Sequence, residues 1–135
     1  MDQKRMVTFT LGGMVFEYDE EKNQKNIQKH GISVRNAARV FFDYDRIEFY
    51  DEEHSDDEER YDTIGDISAG KISLGSNTTI GNIDQLAGKI NDILFVVYTE
   101  RVRTEENDIK TDITRLISAR LATSFERGIY YGKYE

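Results

Sequence analysis

Residues 113–120 read Ile-Thr-Arg-Leu-Ile-Ser-Ala-Arg, and this stretch decides how the end of the chain folds. Its apolar and β-branched residues predict a strand, which Arg115 interrupts and Arg120 ends. A helix signal follows at once, because Thr123 and Glu126 have the Thr-x-x-Glu spacing of a capping box, in which each side chain hydrogen-bonds the other residue's backbone N–H. The chain is therefore predicted to pass from a strand directly into a closing helix.

Two helices are predicted near the N-terminus. Asp19 is placed to cap the first, which stops at Gly31 and is very polar, with Ile27 as nearly its only core residue. Ser33 caps the second, whose apolar residues recur at helical spacing and predict a face packed on the core: Val34, Ala37, Ala38 and Phe41. Before these helices, residues 7–18 predict either a short hairpin around a Gly-Gly pair or a loose terminal arm.

The middle of the chain changes to the two-residue period of strands. Strands are predicted over residues 46–50, 60–65, 93–99 and 113–120. With the last helix at 122–134, these segments predict a single α+β domain over residues 1–135, made of two N-terminal helices, an antiparallel β-sheet and a C-terminal helix. Residues 68–92 interrupt a strand pair, and their pattern predicts an inserted hairpin followed by a short helix.

Composition and charge narrow the class of protein. The chain has no cysteine, so disulfides and thiolate metal sites are excluded. The longest apolar run, residues 93–98, is far too short to span a membrane, and no signal-peptide core follows the first residues. The net charge of −8 argues against a protein that coats nucleic acid through its overall field, although a small basic cleft is compatible with it. We expect a cytoplasmic protein that needs no cofactor and no metal.

Arginines stand at predicted strand ends and turns despite the acidic composition. Their guanidinium groups present a planar fork of donors that matches phosphate or carboxylate oxygens. The candidate site residues of this type are Arg60, Arg101, Arg115 and Arg120. Strict strand alternation would place Arg115 and Arg120 on opposite faces, so a bulge or a strand end is needed to unite them. In the alternative interpretation, these arginines pair with nearby acids, which are Glu59, Glu100 and Glu126.

His54 is the candidate for proton transfer, because an imidazole ordinarily titrates near pH ~6.5. It lies in the acidic loop 51–59, whose carboxylates would raise its pKa, and the alternative is a solvated turn with an incidental histidine. His30 precedes Gly31 at a predicted helix end, where helix termination or packing accounts for it. The acidic loop could also bind a hard cation, but it lacks the glycine-hinged pattern of calcium loops; its candidate ligands are Asp51, Glu53, Asp56 and Asp57.

The last helix carries more apolar and tyrosine surface than a small core needs. We therefore predict a partner-binding surface formed by Phe125, Ile129, Tyr130 and Tyr134. One edge of the helix combines a cation with aromatic rings, namely Arg127, Tyr131 and Tyr134. Such an edge can stack RNA bases or dock a protein, and the residue types do not decide between the two.

Several motifs together resemble one family. In order and approximate spacing they match BrnT-like toxins over about residues 16–67 and 93–131, whereas the insertion at 68–92 and the residues before Phe16 have no counterpart. The matching motifs are Phe16-Glu-Tyr-Asp-x-x-Lys-Asn23, Lys29-His-Gly-Ile32, Ala37-Ala-x-Val-Phe41, Asp51-Glu-Glu-His-Ser55 through Glu59-Arg60, Thr99-Glu-Arg101, and Arg115-Leu-Ile-Ser-Ala-Arg-x-Ala-Thr123 with Glu126-Arg127.

The resemblance implies a RelE-like fold and a metal-independent ribonuclease toxin of a type II toxin–antitoxin pair. Such a toxin inhibits translation by cleaving RNA, and a cognate antitoxin neutralises it and makes any contact with DNA indirect. Cleavage by the ribose 2′-OH needs a proton acceptor, a donor for the leaving oxygen and cations for the developing charge. The four arginines and His54 are the residues expected to supply them. The alternative is a non-catalytic, toxin-like module that binds protein, which the insertion and the net charge favour.

Overall fold

The computed structural model describes residues 5–68 and 92–132. The predicted inserted hairpin and helix fall almost wholly on residues 69–91, which lie outside the described residues. The described strands form one six-stranded sheet in the order β1-β2-β6-β5-β4-β3. Along the chain the elements are β1 (Met6–Leu11), β2 (Met14–Asp19), α1 (Glu20–His30), α2 (Val34–Ala37), a 3₁₀ helix (Ala38–Phe42), β3 (Ile47–Tyr50), β4 (Tyr61–Asp66), β5 (Ile93–Thr104), β6 (Lys110–Leu121) and α3 (Ser124–Tyr130).

The prediction of two N-terminal helices followed by an antiparallel sheet is wrong. The described chain begins with the β1–β2 hairpin, and β2 then pairs in parallel with β6, so the sheet is mixed. Gly12 and Gly13 both have positive φ, 56° and 83°, as a two-residue hairpin turn of this kind requires. Phe16 and Tyr18 alternate into the core and are 0% and 5% exposed. Local pattern allowed a hairpin here, but it holds no signal for pairing with a strand at the other end of the chain.

The helix caps and the packing face of the second helix are confirmed. The Asp19 carboxylate accepts hydrogen bonds from the backbone N–H groups of Glu21 and Lys22, and Gly31 ends α1 with φ of 72°. Ser33 caps α2 by accepting from the N–H of Asn36 at 3.0 Å. The apolar face continues through the 3₁₀ helix and packs on the sheet. The main core formed in this way contains Phe16, Tyr18, Val34, Ala37, Ala38, Val40, Phe41, Leu94, Val96, Tyr98, Leu116 and Ala119.

Helix α1 docks through asparagine side chains and not through Ile27, which is only half-buried. Asn23 accepts a hydrogen bond from the N–H of Val34 at 2.9 Å. The Asn26 amide donates to the carbonyl of Ala119 at 2.8 Å and accepts from the same residue's N–H at 3.2 Å. Since β2 pairs with β6 only as far as Leu116, the Asn26 amide takes the place of a neighbouring strand beyond that point.

A β-bulge in β6 brings the two arginines of residues 113–120 to one face of the sheet. Val97 pairs with Ser118 and the next residue of β5 pairs with Leu116, so Ile117 is the extra residue. Leu116 and Ala119 consequently both face the core although they are three positions apart. The same shift cancels the odd spacing of Arg115 and Arg120, which places both on the opposite face.

That opposite face, called here the open face, is covered at two ends. Helix α3 covers one end, where Ile129 and Tyr130 pack with a cluster around Ile64 and Ile93. The loop of residues 51–60 lies over the other end, and the Thr99 hydroxyl donates to the carbonyl of Glu59 at 2.5 Å. A cleft remains beside the loop, and its floor is formed by the cross-strand neighbours Asp62, Phe95, Val97, Ser118 and Arg120.

Gly65 marks a close approach of the 3₁₀ helix to β4. A Cβ atom added there would lie 2.9 Å from the Cβ of Val40 and 3.2 Å from its carbonyl oxygen. We expect Gly65→Ala to lower the free energy of unfolding by about 1–3 kcal/mol, because the backbone of the helix would have to shift. Urea unfolding measures this effect, and Thr8→Ala on exposed β1 is the control, expected within about 0.5 kcal/mol of wild type. Equal stability of the two variants would contradict the close packing.

Candidate active site

The cleft on the open face has a volume of about 400 Å³ and contains three of the predicted site residues. His54 and Arg60 come from the loop of residues 51–60, and Arg120 comes from the end of β6. Around them lie the acidic side chains Asp51, Glu53 and Asp62. The loop and the strand therefore bring together, across the sheet, groups that are far apart in the sequence.

Arg120 is held in one orientation by a carboxylate and an aromatic ring. Its Nη1 and Nη2 atoms donate to Glu126 at 2.7 and 3.0 Å, and its guanidinium carbon lies 4.2 Å from the centroid of the Phe95 ring. The hydrogen bonds with Glu126 raise the pKa of Arg120, so its charge is permanent. The predicted capping box is confirmed, since Glu126 also accepts from the N–H of Thr123. The ion pair with Glu126 thus forms as the alternative interpretation expects, and it also orients Arg120 at the cleft.

Arg60 reaches the cleft from the end of the loop that precedes β4. It also lines a neighbouring cleft of about 490 Å³, together with His54, Lys22 and Arg115. Its Nε atom is buried and has no hydrogen-bond partner among the residues that the structure describes. Arg60 therefore lies where the two clefts meet.

Arg115 and Arg101 share one carboxylate. The Nε of Arg115 lies 2.8 Å from the Glu17 carboxylate, and an Nη of Arg101 lies 3.8 Å from the same oxygen. Arg115 lines the neighbouring cleft together with Arg60 and His54. Arg101 instead lines a separate cavity of about 820 Å³ on the part of the β5–β6 hairpin that extends beyond β4. The structure groups four of the five predicted residues and leaves Arg101 at their margin.

His54 is bound to Asp51 at one ring nitrogen. Its Nδ1 lies 3.0 and 3.1 Å from the two carboxylate oxygens, and its backbone N–H donates to the same side chain. The hydrogen bond with Asp51 raises the pKa of His54 above its ordinary value, in the direction predicted for this acidic loop. Because Nδ1 is the bound nitrogen, Nε2 is the atom left for exchanging a proton with a substrate. His30, by contrast, is the last residue of α1, and burial lowers its pKa.

Asp62 is a member of the site that the sequence interpretation missed. It is 5% exposed, and one carboxyl oxygen is buried with no hydrogen-bond partner among the described residues. Burial, followed by the hydrogen bond with the Asp51 carboxylate and the charge of that carboxylate, raises the pKa of Asp62 to about 7. The available signal was an aspartate in the interior of a predicted strand, where this residue type is disfavoured.

One family matches a stretch of the chain that contains the cleft and all five predicted site residues. The family described as ribonuclease toxin, BrnT, of type II toxin-antitoxin system matches residues 18–126. The chain belongs to the BrnT family. The match runs from β2 to α3 and so includes every residue that lines the cleft, which confirms the resemblance drawn from the motifs. A comparison with individually curated proteins gives no match.

Membership of the BrnT family of type II toxin-antitoxin systems implies a cognate antitoxin, which makes the exposure of the predicted partner-binding residues relevant. Phe125 is 62% exposed on α3. Ile129 packs inside the fold, and the hydroxyl of Tyr130 donates to the buried carboxylate of Asp43 at 2.5 Å. Tyr134 lies outside the described residues. Among the described residues, the exposed aromatic surface at this end of the chain is therefore formed by Phe125 on α3 and by Tyr131, which follows the helix.

The described residues of this BrnT family member contain neither a metal-binding cluster nor a membrane-spanning helix. Among residues 5–68 and 92–132, no group of three or more histidine or acidic side chains is placed to hold a metal ion. The acids of the loop 51–59 thus form no such cluster. In the same ranges, no helix has the length and apolar character needed to cross a membrane.

Proposed function

We propose that this protein is a metal-independent endoribonuclease, the toxin of a type II pair, and that its antitoxin neutralises it. The observation that carries the proposal is the convergence of His54, Arg60 and Arg120 in one cleft, with Arg115 beside them. Family membership supports the ribonuclease class. The proposed setting is the cytoplasm, where RNA, the toxin and its antitoxin meet.

The proposed chemistry uses the substrate's own hydroxyl as the nucleophile. The ribose 2′-oxygen bonds to the adjacent phosphorus while the bond from phosphorus to the 5′-oxygen breaks, which leaves a 2′,3′-cyclic phosphate and a 5′-hydroxyl end. The 2′-OH loses its proton to a base, and the 5′-oxygen must gain one. His54 is the group proposed to exchange these protons through Nε2.

The arginines are proposed to stabilise the negative charge that develops on the phosphate oxygens. A guanidinium that is already oriented does this without reorganising during the reaction. Arg120 meets that condition, because Glu126 and Phe95 hold it. Arg60 and Arg115 are proposed to contact the phosphates on either side of the cleaved bond.

Chelation and a modified substrate test the proposal together. We expect cleavage of an RNA oligonucleotide to continue in excess EDTA, since the proposed reaction uses only side chains. Replacing the ribose at the cleaved position by 2′-deoxyribose should abolish cleavage there, because the nucleophile is removed. Gel analysis of end-labelled RNA, with and without EDTA, measures both effects.

Two outcomes would contradict the proposed function. Activity that disappears with EDTA and returns with a divalent ion would place the chemistry on a metal. A chain that binds its antitoxin but cleaves no RNA would favour the alternative, a non-catalytic protein-binding module. Neutralisation is tested by adding purified antitoxin to the cleavage reaction. A stoichiometric amount of antitoxin should suppress cleavage.

A further inference from the structure

Two carboxyl groups lie in contact at the side of the cleft where His54 is bound. Asp51 follows β3, Asp62 is in β4, and their side chains share a hydrogen bond. Both are shielded from water, since the Asp51 side chain is 10% exposed and Asp62 is 5% exposed. Two carboxylates in such contact repel each other strongly, so the pair is expected to retain one proton near neutral pH.

The contacts indicate which of the two acids holds the proton. Asp51 accepts hydrogen bonds from the backbone N–H and the Nδ1 of His54, which favours its ionised form. No such donor is found for Asp62, one of whose oxygens has no partner within the described residues. The pKa directions agree: burial tends to raise the pKa of Asp51, but the hydrogen bonds outweigh it and leave the pKa below its ordinary value, whereas the pKa of Asp62 is raised to about 7.

We propose that Asp62 is a positioning residue that works as a neutral acid: it donates its proton to Asp51, which in turn holds His54 at the cleft. This inference rests on the proposed ribonuclease function and deepens it. The neutral form has a second consequence, because it removes one negative charge from a cleft that must accept phosphate.

The charged groups around Asp62 determine whether the cleavage rate rises or falls with pH. The loop of residues 51–60 contributes Asp51, Glu53, His54 and Arg60, β6 contributes Arg120, and the β5 residues on the floor, Phe95 and Val97, are uncharged. When Asp62 ionises, its new charge favours the imidazolium form of His54 and repels phosphate. The cleavage rate is therefore expected to fall as the pH rises through about 7.

The decisive variant is Asp62→Asn, whose amide N–H can donate to Asp51 as the protonated acid does but does not ionise. The first readout is the NMR titration of the His54 ring, with His30→Gln used to assign the two histidines. In wild type, ionisation of Asp62 should place the pKa of His54 about half a unit to one unit above that in Asp62→Asn, the Coulomb effect of one nearby charge at intermediate dielectric. Equal His54 pKa values in the two proteins would overturn the proposal.

The second readout is the pH dependence of RNA cleavage. Asp62→Leu, which cannot donate, should lower the rate at pH 6 by about tenfold or more, part of the effect of a well-placed proton-transfer group. Asp62→Asn should recover most of that loss and should lack the decline above pH 7. A decline that persists in Asp62→Asn would overturn the proposal.

The two readouts also separate this inference from the proposed function. If wild type cleaves no RNA, the proposed function fails, and the NMR comparison alone decides whether Asp62 controls His54. If wild type cleaves RNA but the His54 pKa is the same in Asp62→Asn, only the inference fails. Circular dichroism confirms folding, and should Asp62→Leu not fold, the comparison of Asp62→Asn with wild type still decides.

Discussion

Replacing Arg120 with alanine is expected to lower the rate of RNA cleavage about 10²–10³-fold, roughly 3–4 kcal/mol of transition-state stabilisation. The structure supplies the reason, because the two hydrogen bonds that Arg120 donates to Glu126 and its contact with the Phe95 ring hold the guanidinium beside the cleft before any substrate binds. Arg120→Lys keeps the charge and loses the planar fork, so we expect only partial recovery. The measurement is single-turnover cleavage of a labelled RNA, together with growth arrest on expression.

A matched control separates a role in the cleft from the loss of a positive charge. Arg103 lies on the exposed part of the β5–β6 hairpin and also pairs with a glutamate, Glu105, at 2.8 Å. Arg103→Ala should cleave RNA at the wild-type rate. Since Arg120 also braces α3 through Glu126, thermal melting must accompany the kinetics. A folded Arg120→Ala protein with unchanged cleavage would remove Arg120 from the site.

Replacing Asn26 with leucine is expected to destabilise the fold by about 3 kcal/mol or more, since three buried backbone groups would lose their partners at roughly 1–3 kcal/mol each. These groups are the N–H and carbonyl of Ala119 and the carbonyl of Ile32, to which the Asn26 amide donates at 2.8 Å. Asn26→Asp should also be strongly destabilising, because it removes both donated bonds and buries a charge. The midpoint and slope of urea unfolding give the free energies.

Gln24 on the same helix provides the control for Asn26. It is exposed, and its side chain donates to Glu20 at 2.6 Å on the helix surface. Gln24→Ala should change the free energy of unfolding by no more than about 0.5 kcal/mol. If Asn26→Leu were as stable as Gln24→Ala, the amide would not be what closes the edge of β6.

The parts of the fold that were predicted correctly depend on residues close together in the sequence. Asp19 and Ser33 cap their helices, and the Thr123–Glu126 capping box begins α3, because each cap joins groups only a few positions apart. The buried face from Val34 to Phe41 follows from helical spacing in the same way. The candidate site arginines and His54 were selected by their chemistry and by the family motifs that contain them.

The sheet order and the composition of the cleft depend on contacts between distant residues. Parallel pairing of β2 with β6 joins the two ends of the chain, and no local pattern of apolar residues specifies a partner strand at that distance. The spacing of Arg115 and Arg120 indicated that a bulge or a strand end is needed to unite them, and the strand pairing places a bulge at Ile117.

The protonation of Asp62 is the property that depends most on tertiary packing and least on the order of residues along the chain. The sequence determined that an aspartate stands within a strand and that an acidic loop containing His54 precedes it. Folding of that loop onto β4 brings Asp51 into contact with Asp62 and leaves Asp62 only 5% exposed. The protonation of a carboxyl group depends on its solvent exposure and on the charges around it, and tertiary packing sets both.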